Sequence, residues 1–469
     1  MPASFFANTI GSSDSARRRT MKSKICLLLA ALLLVTLAAC GETQPPAASN
    51  PPAASSTPAQ PEKPAEPETP AQPEKPAEPE TPAQPEKPAL TAAEQAVLQQ
   101  RRDTAEATMR AMATVLWQAQ EDVEYSLSSG VPYAEAAANK RLAVRAGRIY
   151  RGMIYSYGHS SLAPFMDYAG EPEGLVYPVS GLDWLAVGGK SSLPRIGNDC
   201  SGALVCAWNS TGATVPAKAT NLMCADNGFL PVGDYVSDPT KNADTHLVTT
   251  QQNGEQVMFR AYAQLQKADG VVRRKGSSGH ARMVVKAHTE YNADGTINGD
   301  RSYIIALEQT STLQRGEKTV FDTRLQKTVY AIYGVDVKYT YKKLYTDGYL
   351  PITCRELIDP APIPAVQVTD SLTAHSADTI LTGTISANRS IVSVSVTVTD
   401  GAGNVIAQAS APSIRGKLTA FDMQLLCSGQ GVRGSVEPAA LKPGSYHCTT
   451  VCSLLTGETI TVRDFDFIV

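Results

Sequence analysis

The sequence predicts an α+β domain followed by a separate all-β domain. The first observation is an apolar, helix-like run that begins at residue 200, directly after an irregular segment. The second is a set of β-like segments at 280–288, 302–309 and 328–337. The third is a series of short alternating segments beyond residue 365, separated by glycine, asparagine and aspartate turns. A chain of 469 residues is too long for one hydrophobic core, so we expect two or three domains.

The N-terminus has the features of an export signal. Two lysines precede an apolar run over residues 25–37, and small residues follow it. Residues 37–41, LAACG, resemble a bacterial lipobox, which implies that residues 1–39 are removed and that the Cys40 thiol is lipidated. We therefore expect an extracytoplasmic protein that a lipid holds to the bacterial cell membrane, facing the cell wall. An ordinary secretory cleavage site or an uncleaved anchor is the alternative.

The overall charge gives no indication of a nucleic-acid partner. The chain has 42 lysines and arginines against 45 aspartates and glutamates, a net charge of −3. Removal of residues 1–39 takes away five basic residues and one acidic residue, which leaves 37 basic against 44 acidic residues and a net charge of −7. Nucleic-acid binding favours a basic surface, and an acidic protein is not held to an anionic membrane by its own surface.

Residues 40–90 are predicted to be a disordered linker that contains the lipidation site. The unit PAQPEKPAEPET occurs at 58–69 and again at 70–81. Proline at this density favours an extended polyproline II chain and prevents a packed core. The segment therefore predicts a spacer between the membrane and the folded domains, with docking of a partner to its prolines as the alternative.

Helices are predicted immediately after this linker. Thr91 and Glu94 match a capping box, and the helix they begin is expected to continue to about Tyr125, within an N-terminal helical region at 91–130. A second helix is expected from Tyr133 to about Ser156, because this alanine-rich stretch consists largely of good helix formers.

The C-terminal residues 365–469 are predicted to form an immunoglobulin-like β-sandwich. Prolines mark a connector at 346–364, and about seven short alternating strands follow it. Cys427 can pair with Cys448 or Cys452 in this region, or these cysteines can be reduced and buried. A bridge between Cys448 and Cys452 is excluded, because residues four apart on a strand lie about 13 Å apart.

Cys200 is the candidate nucleophile. Asp199 is expected to be the N-cap of a helix, which places Cys200 at the first helical position. The positive end of the helix dipole and a nearby imidazolium can lower the pKa of a thiol at such a position. Ser201 follows, and Gly202 allows a second backbone or a substrate to approach closely. A buried structural cysteine or half of a disulfide is the alternative, although Cys200 and Cys206 on one helix cannot form a bridge.

His280 is the candidate base for this thiol. It begins a predicted strand directly after a glycine turn, about eighty residues downstream of Cys200. A third group must accept a hydrogen bond from the other ring nitrogen, and the candidates are Glu308 and Gln309 on the next strand. Adjacent strand residues point to opposite faces, so only one of the two can face His280. The alternative is that the histidine and the glutamate are ordinary core or surface residues.

These residues resemble the NlpC-type cell-wall cysteine peptidases and the related CHAP amidases. The likeness lies in the sequence DCSG around Cys200, together with Gly279-His280 on a later strand. Glu308 resembles the CHAP third position, although Thr310 stands where those enzymes have asparagine. The resemblance implies a papain-like fold over residues 131–345.

The family implies a metal-free and cofactor-free hydrolase that cleaves peptide or amide bonds in peptidoglycan stem peptides. Within the segment IYSYG, Tyr155 matches a family position that lines the site, provided that an insertion separates it from Cys200. The resemblance assigns catalysis to Cys200, His280 and Glu308, and peptidoglycan is the expected partner. Two alternatives stay open: a catalytically silent wall-binding or adhesive lipoprotein, and a cysteine acyltransferase or amidase with another substrate.

Overall fold

A computed structural model describes most of the chain beyond the predicted linker. Residues 90–469 form one compact unit. The predicted signal peptide, Cys40 and nearly all of the linker lie outside the described residues. No helix in the described part of the chain is long and apolar enough to span a membrane. The described residues are 89–128, 131–157, 160–166, 168–182, 196–216, 220, 223, 227–236, 245–276, 278–411, 419–428 and 432–469.

The protein is a mixed α+β structure with several sheets. The described α-helices are α1 (Ala92–Thr114), α2 (Leu162–Met166), α3 (Cys200–Asn209), α4 (Thr245–Asn253), α5 (Glu255–Ala263), α6 (Ser311–Arg315), α7 (Tyr341–Asp347) and α8 (Leu425–Ser428). The strands before residue 360 are β1 (Leu116–Ala119), β2 (Val123–Ser126), β3 (Arg141–Val144), β4 (Ile149–Arg151), β5 (Tyr177–Val179), β6 (Leu230–Pro231), β7 (Gly270–Lys275), β8 (Ser278–His288), β9 (Tyr303–Gln309), β10 (Thr319–Asp322), β11 (Lys327–Ala331), β12 (Tyr333–Thr340) and β13 (Tyr349–Thr353). The later strands are β14 (Val368–Asp370), β15 (Thr384–Ala387), β16 (Ile391–Asp400), β17 (Val405–Ala411), β18 (Ala420–Asp422), β19 (Arg433–Ser435), β20 (Ser445–Leu454) and β21 (Thr459–Ile468).

A six-stranded antiparallel sheet carries α3 on one face. Its strand order is β12-β9-β8-β7-β13-β6. All ten residues of α3 are buried, and the Trp208 indole donates a hydrogen bond of 2.7 Å to the carbonyl of Ala268. A β-carbon at Gly270 would lie 2.9 Å from a methyl of Leu204, so the small residue lets the helix pack closely on the sheet. A second, mixed sheet has the order β10-β11-β4-β1-β5.

Helix α1 shares this core and is not a separate region. The capping box of Thr91 and Glu94 is present at its start. Arg102 of α1 forms a buried ion pair of 2.8 Å with Asp269, and Met109 and Met112 are fully buried in the same core as α3. The pairing of β2 with β3 also crosses the domain boundary predicted near residue 130.

The prediction that the first helix continues to about Tyr125 is wrong. Helix α1 ends at Thr114, because Val115 adopts an extended conformation and the chain enters β1. Trp117 of β1 is fully buried, and its indole nitrogen donates a hydrogen bond of 2.8 Å to the Gly152 carbonyl. Burial of this aromatic residue against a neighbouring strand outweighs the local helix propensity.

The second predicted helix, from Tyr133 to about Ser156, is also wrong. This stretch forms two short 3₁₀ helices followed by the strands β3 and β4. Gly147 and Gly152 have φ angles of +74° and +94°, which no continuous right-handed helix can contain. The alanine-rich composition of the stretch favours a helix only weakly, and pairing with β1 and β2 decides the structure.

The connector predicted at 346–364 begins later than expected. Strand β13, Tyr349–Thr353, is completely buried and pairs with β7 inside the six-stranded sheet. The predicted strand at 328–337 is also divided, because β11 and β12 belong to different sheets. Asp336, with a φ of +54°, lies at an irregularity in the pairing of β12 with β9.

The C-terminal residues form two antiparallel sheets. Strands β14, β15 and β18 make one sheet, and the other has the order β19-β17-β16-β20-β21. Residues of β16 and β20 alternate between buried and partly buried positions, as expected for strands with one face in a core. No disulfide joins the six described cysteines; Cys448 and Cys452 are buried, and Cys427 is exposed. In the described part of the chain, these three cysteines are therefore reduced, and no disulfide joins Cys427 to Cys448 or Cys452.

Candidate active site

The start of α3 fixes the position of the Cys200 thiol. Asp199 has an extended backbone, and its carboxylate accepts a hydrogen bond of 2.6 Å from the Gly202 amide and one of 3.0 Å from the Ser201 hydroxyl. Asp199 is thus the N-cap, and Cys200 is the first residue of the helix. Ser201 and Gly202 are buried beneath it and contribute to this cap.

The segment around Tyr155 lies directly beside this helix start. Tyr155 and Asn198 form a parallel bridge, in which the Ser156 amide donates to the Asn198 carbonyl at 2.9 Å. The long sequence gap between Tyr155 and Cys200 therefore closes in space. A β-carbon at Gly197 would lie 2.2 Å from the Ile154 carbonyl, so this close approach requires glycine. Tyr155 is buried, and burial raises its pKa, with the charge of Asp199 acting in the same direction.

The Cys200 thiol is buried next to the backbone of β8. It interacts with the backbone N–H of Ala281, the residue that follows His280. Burial and the charge of Asp199 raise the pKa of the thiol to about 12, although the amides of Ala281, Ser201 and Cys200 act in the opposite direction. The amides at the helix N-terminus thus act in the expected direction, but burial outweighs them, and the pKa of the thiol lies above its ordinary value in the resting protein. The thiol needs a base before it can attack.

His280 and Glu308 form a short hydrogen bond. The distance from His280 Nε2 to Glu308 Oε2 is 2.6 Å, and their side chains are only 13% and 10% exposed. The Glu308 carboxylate accepts a hydrogen bond from the Nε2–H group of His280, so Nδ1 is the basic nitrogen of the neutral ring. Burial lowers the pKa of His280, and so do the charges of Arg282 and Arg273, while Glu308 acts in the opposite direction.

Glu308 is held by donors from two neighbouring strands. Arg282 Nε donates to Oε2 at 2.6 Å, and the Tyr339 hydroxyl donates to Oε1 at 2.6 Å. Burial favours the neutral acid, but the hydrogen bond from His280, the charge of Arg282 and the hydrogen bond from Tyr339 outweigh it. They hold the pKa of Glu308 well below its ordinary value. Glu308 is therefore a carboxylate at neutral pH.

Gln309 faces the other side of the sheet. Its side-chain amide nitrogen donates to the Met153 carbonyl at 2.9 Å, and its side-chain oxygen accepts from the Thr310 amide at 3.0 Å. The alternation of side chains along β9 separates the two residues, so Glu308 contacts His280 and Gln309 braces the segment before Tyr155.

Two contributors to the site were missed from the sequence. Arg282 stands two residues after His280, and this strand spacing is a usable signal for side chains on one face. Tyr339 comes from β12, and its contact with Glu308 depends on strand order, which the sequence does not encode locally.

The described residues contain no group of histidine, cysteine and acidic side chains that could hold a metal ion. In comparisons with known proteins, no family model matches the chain and no curated protein matches it. The interpretation of the site therefore depends on its own geometry.

Proposed function

We propose that the protein is a cysteine hydrolase of papain-like type that cleaves peptide or amide bonds. One observation carries this proposal. The Cys200 thiol lies at the backbone N–H of Ala281, the residue after His280, and the His280 ring is held by the Glu308 carboxylate. A nucleophile, a base and a group that orients the base are the parts required for nucleophilic catalysis by a weakly acidic thiol.

In the proposed mechanism, His280 Nδ1 takes the proton of the Cys200 thiol while the sulfur attacks the substrate carbonyl. The resulting tetrahedral intermediate collapses, the C–N bond breaks, and the imidazolium gives its proton to the departing amine. A thioester remains on Cys200. Water then attacks the thioester, its proton passes to His280 and on to the sulfur, and the carboxylic acid leaves.

The oxyanion of the intermediate needs N–H donors close to the sulfur. The Cys200 amide lies at the free N-terminus of α3, and this amide is the donor that we propose. Glu308 keeps its charge throughout, so it stabilises the imidazolium that forms during the first step.

We further propose that the substrate is a peptidoglycan stem peptide and that a lipid on Cys40 holds the enzyme at the cell membrane. The support is the lipobox-like sequence at residues 37–41, the proline-rich spacer behind it, and the resemblance of the DCSG and Gly-His motifs to cell-wall peptidases. An immunoglobulin-like C-terminal domain that binds the wall or positions the enzyme fits the two C-terminal sheets.

The test uses the chain from residue 41 onward and purified peptidoglycan, with mass spectrometry of the released fragments. Cys200→Ala should abolish release. Cys206→Ala is the matched control, because this second buried thiol lies on the same helix and also has a pKa raised to about 12 by burial. Fragments from the Cys206→Ala protein but not from Cys200→Ala support the proposal, and their masses name the bond. Equal release from both variants contradicts it; binding without release favours the wall-binding alternative.

A further inference from the structure

Arg282 contacts the same carboxylate oxygen as the catalytic histidine. It lies two residues after His280 on β8, so both side chains are on one face of the sheet. Both His280 Nε2 and Arg282 Nε lie 2.6 Å from Glu308 Oε2. One carboxylate oxygen thus serves a titratable ring and a permanently charged guanidinium.

The Arg282 side chain is fixed by two tyrosine rings. Its guanidinium carbon lies 3.7 Å from the centre of the Tyr339 ring and 4.3 Å from the centre of the Tyr349 ring. The residue is only 8% exposed, so this cation–π arrangement is largely shielded from water. Because the Tyr339 hydroxyl also donates to Glu308, the arginine and the carboxylate are held as one unit.

Charged groups of both signs lie near this unit. Strand β7 contributes Arg273, which lies beside the Tyr349 ring and 3.7 Å from Asp347 at the end of α7. On α3 and its N-cap, the titratable groups are Asp199 and Cys200 at the start of the helix and Cys206 six residues further along. Glu308 must therefore divide its attraction between His280 and a guanidinium that never loses its charge.

We infer that Arg282 is a positioning residue, which aligns Glu308 on His280 Nε2 and keeps the imidazole uncharged in the resting protein. Without the guanidinium, the full charge of the carboxylate would favour the imidazolium, and Nδ1 would already hold the proton that it has to accept. The lowering of the His280 pKa by burial and by the charges of Arg282 and Arg273 agrees with this role. The importance of this role for catalysis rests on the proposed function. The effect of Arg282 on the charge state of His280 does not depend on that function.

The test is a histidine NMR titration of the chain from residue 41 onward, carrying Cys200→Ala so that the thiol does not titrate. The His280 signal is identified by its loss in His280→Gln. Arg282→Met should raise the pKa of His280 by roughly half a unit to one unit, a threefold to tenfold change in its proton affinity. Arg282→Lys keeps a positive charge and should restore most of the lower value.

A folded Arg282→Met protein with an unchanged His280 pKa would overturn the inference. If Arg282→Met does not fold, Arg282→Lys with Cys200 intact is the second variant. In this variant, the rate of Cys200 alkylation should fall at low pH over the same pH range as in the parent protein, because the positive charge is retained. A shift of this acid limb by a full pH unit would also overturn the inference. Neither readout needs a substrate, so a failure to hydrolyse peptidoglycan is distinguishable from a failure of this inference.

Discussion

Gly279 and Thr220 are in such close contact that no side chain fits between them. A β-carbon at Gly279 would lie 1.6 Å from the Thr220 hydroxyl oxygen and 2.8 Å from its β-carbon. Because Gly279 immediately precedes His280, Gly279→Ala should displace the ring and lower the rate of the proposed hydrolysis by about tenfold or more. The double variant Gly279→Ala/Thr220→Gly removes the clash and should recover most of the rate. A full rate in the single variant would contradict this prediction.

Asp199 should slow the reaction of Cys200 with alkylating agents. Its charge raises the pKa of the thiol, so Asp199→Asn, which keeps a good N-cap, should lower that pKa. Alkylation of Cys200 at mildly alkaline pH should therefore become roughly threefold faster or more. The experiment uses a Cys427→Ser background, because Cys427 is free and exposed, and peptide mapping locates the label.

Asp199→Ala is the companion variant for this experiment. It removes the charge and also the cap, so it should lower the free energy of unfolding by about 1 kcal/mol, which Asp199→Asn should not do. An unchanged alkylation rate in both variants would show that the charge of Asp199 does not reach the thiol.

Glu308→Gln should make the free energy of unfolding less sensitive to a fall in pH. The folded-state pKa of Glu308 is below its unfolded-state value. The stabilisation that ionised Glu308 contributes is therefore fully present above about pH 4.3, and it is lost as the pH falls through the folded-state pKa of Glu308. Urea unfolding should show the parent protein losing more stability between about pH 6 and about pH 3 than the variant loses. Parallel losses would exclude Glu308 as the source.

Glu308→Gln should also destabilise the protein at neutral pH. It leaves the Arg282 guanidinium buried without its counter-ion, so we expect the free energy of unfolding to fall by about 3 kcal/mol. Gln309→Glu is not a substitute for the lost carboxylate, because Gln309 faces the other side of the sheet.

Tyr339→Phe and Tyr349→Phe form a matched pair. Both rings lie against Arg282, but only the Tyr339 hydroxyl donates to Glu308. The Tyr349 hydroxyl has no hydrogen-bond partner among the described residues. Tyr339→Phe should reduce the free energy of unfolding by about 1.5 kcal/mol, since a hydrogen bond to a charged group is lost. Tyr349→Phe should change it by much less. Equal losses would mean that ring packing, not the hydrogen bond, determines the effect.

Local signals in the sequence predicted the parts of the site that depend on neighbouring residues. Asp199 caps a helix that begins at Cys200, and His280 and Glu308 occur in strands close to their predicted bounds. Each of these features follows from residues within a few positions, such as an N-cap side chain or a run of β-branched residues.

The features that were missed depend on contacts between distant segments. The helix expected after Tyr133 is absent because two glycines have positive φ angles and the strands of this stretch pair with β1 and β2. The contact of Tyr339 with Glu308 likewise depends on the order of β12 and β9 in the sheet. Local propensity carries no information about such neighbours.

The complete burial of α3 has a consequence for how this sequence can evolve. A helix with one solvent face accepts many neutral substitutions there, but each of the ten residues from Cys200 to Asn209 is enclosed. Drift should therefore be slow along the whole helix and fast in the proline-rich residues predicted to be a spacer, because a spacer requires mainly length and composition. The helix that carries the thiol is the segment by which distant descendants of this protein should still be traceable.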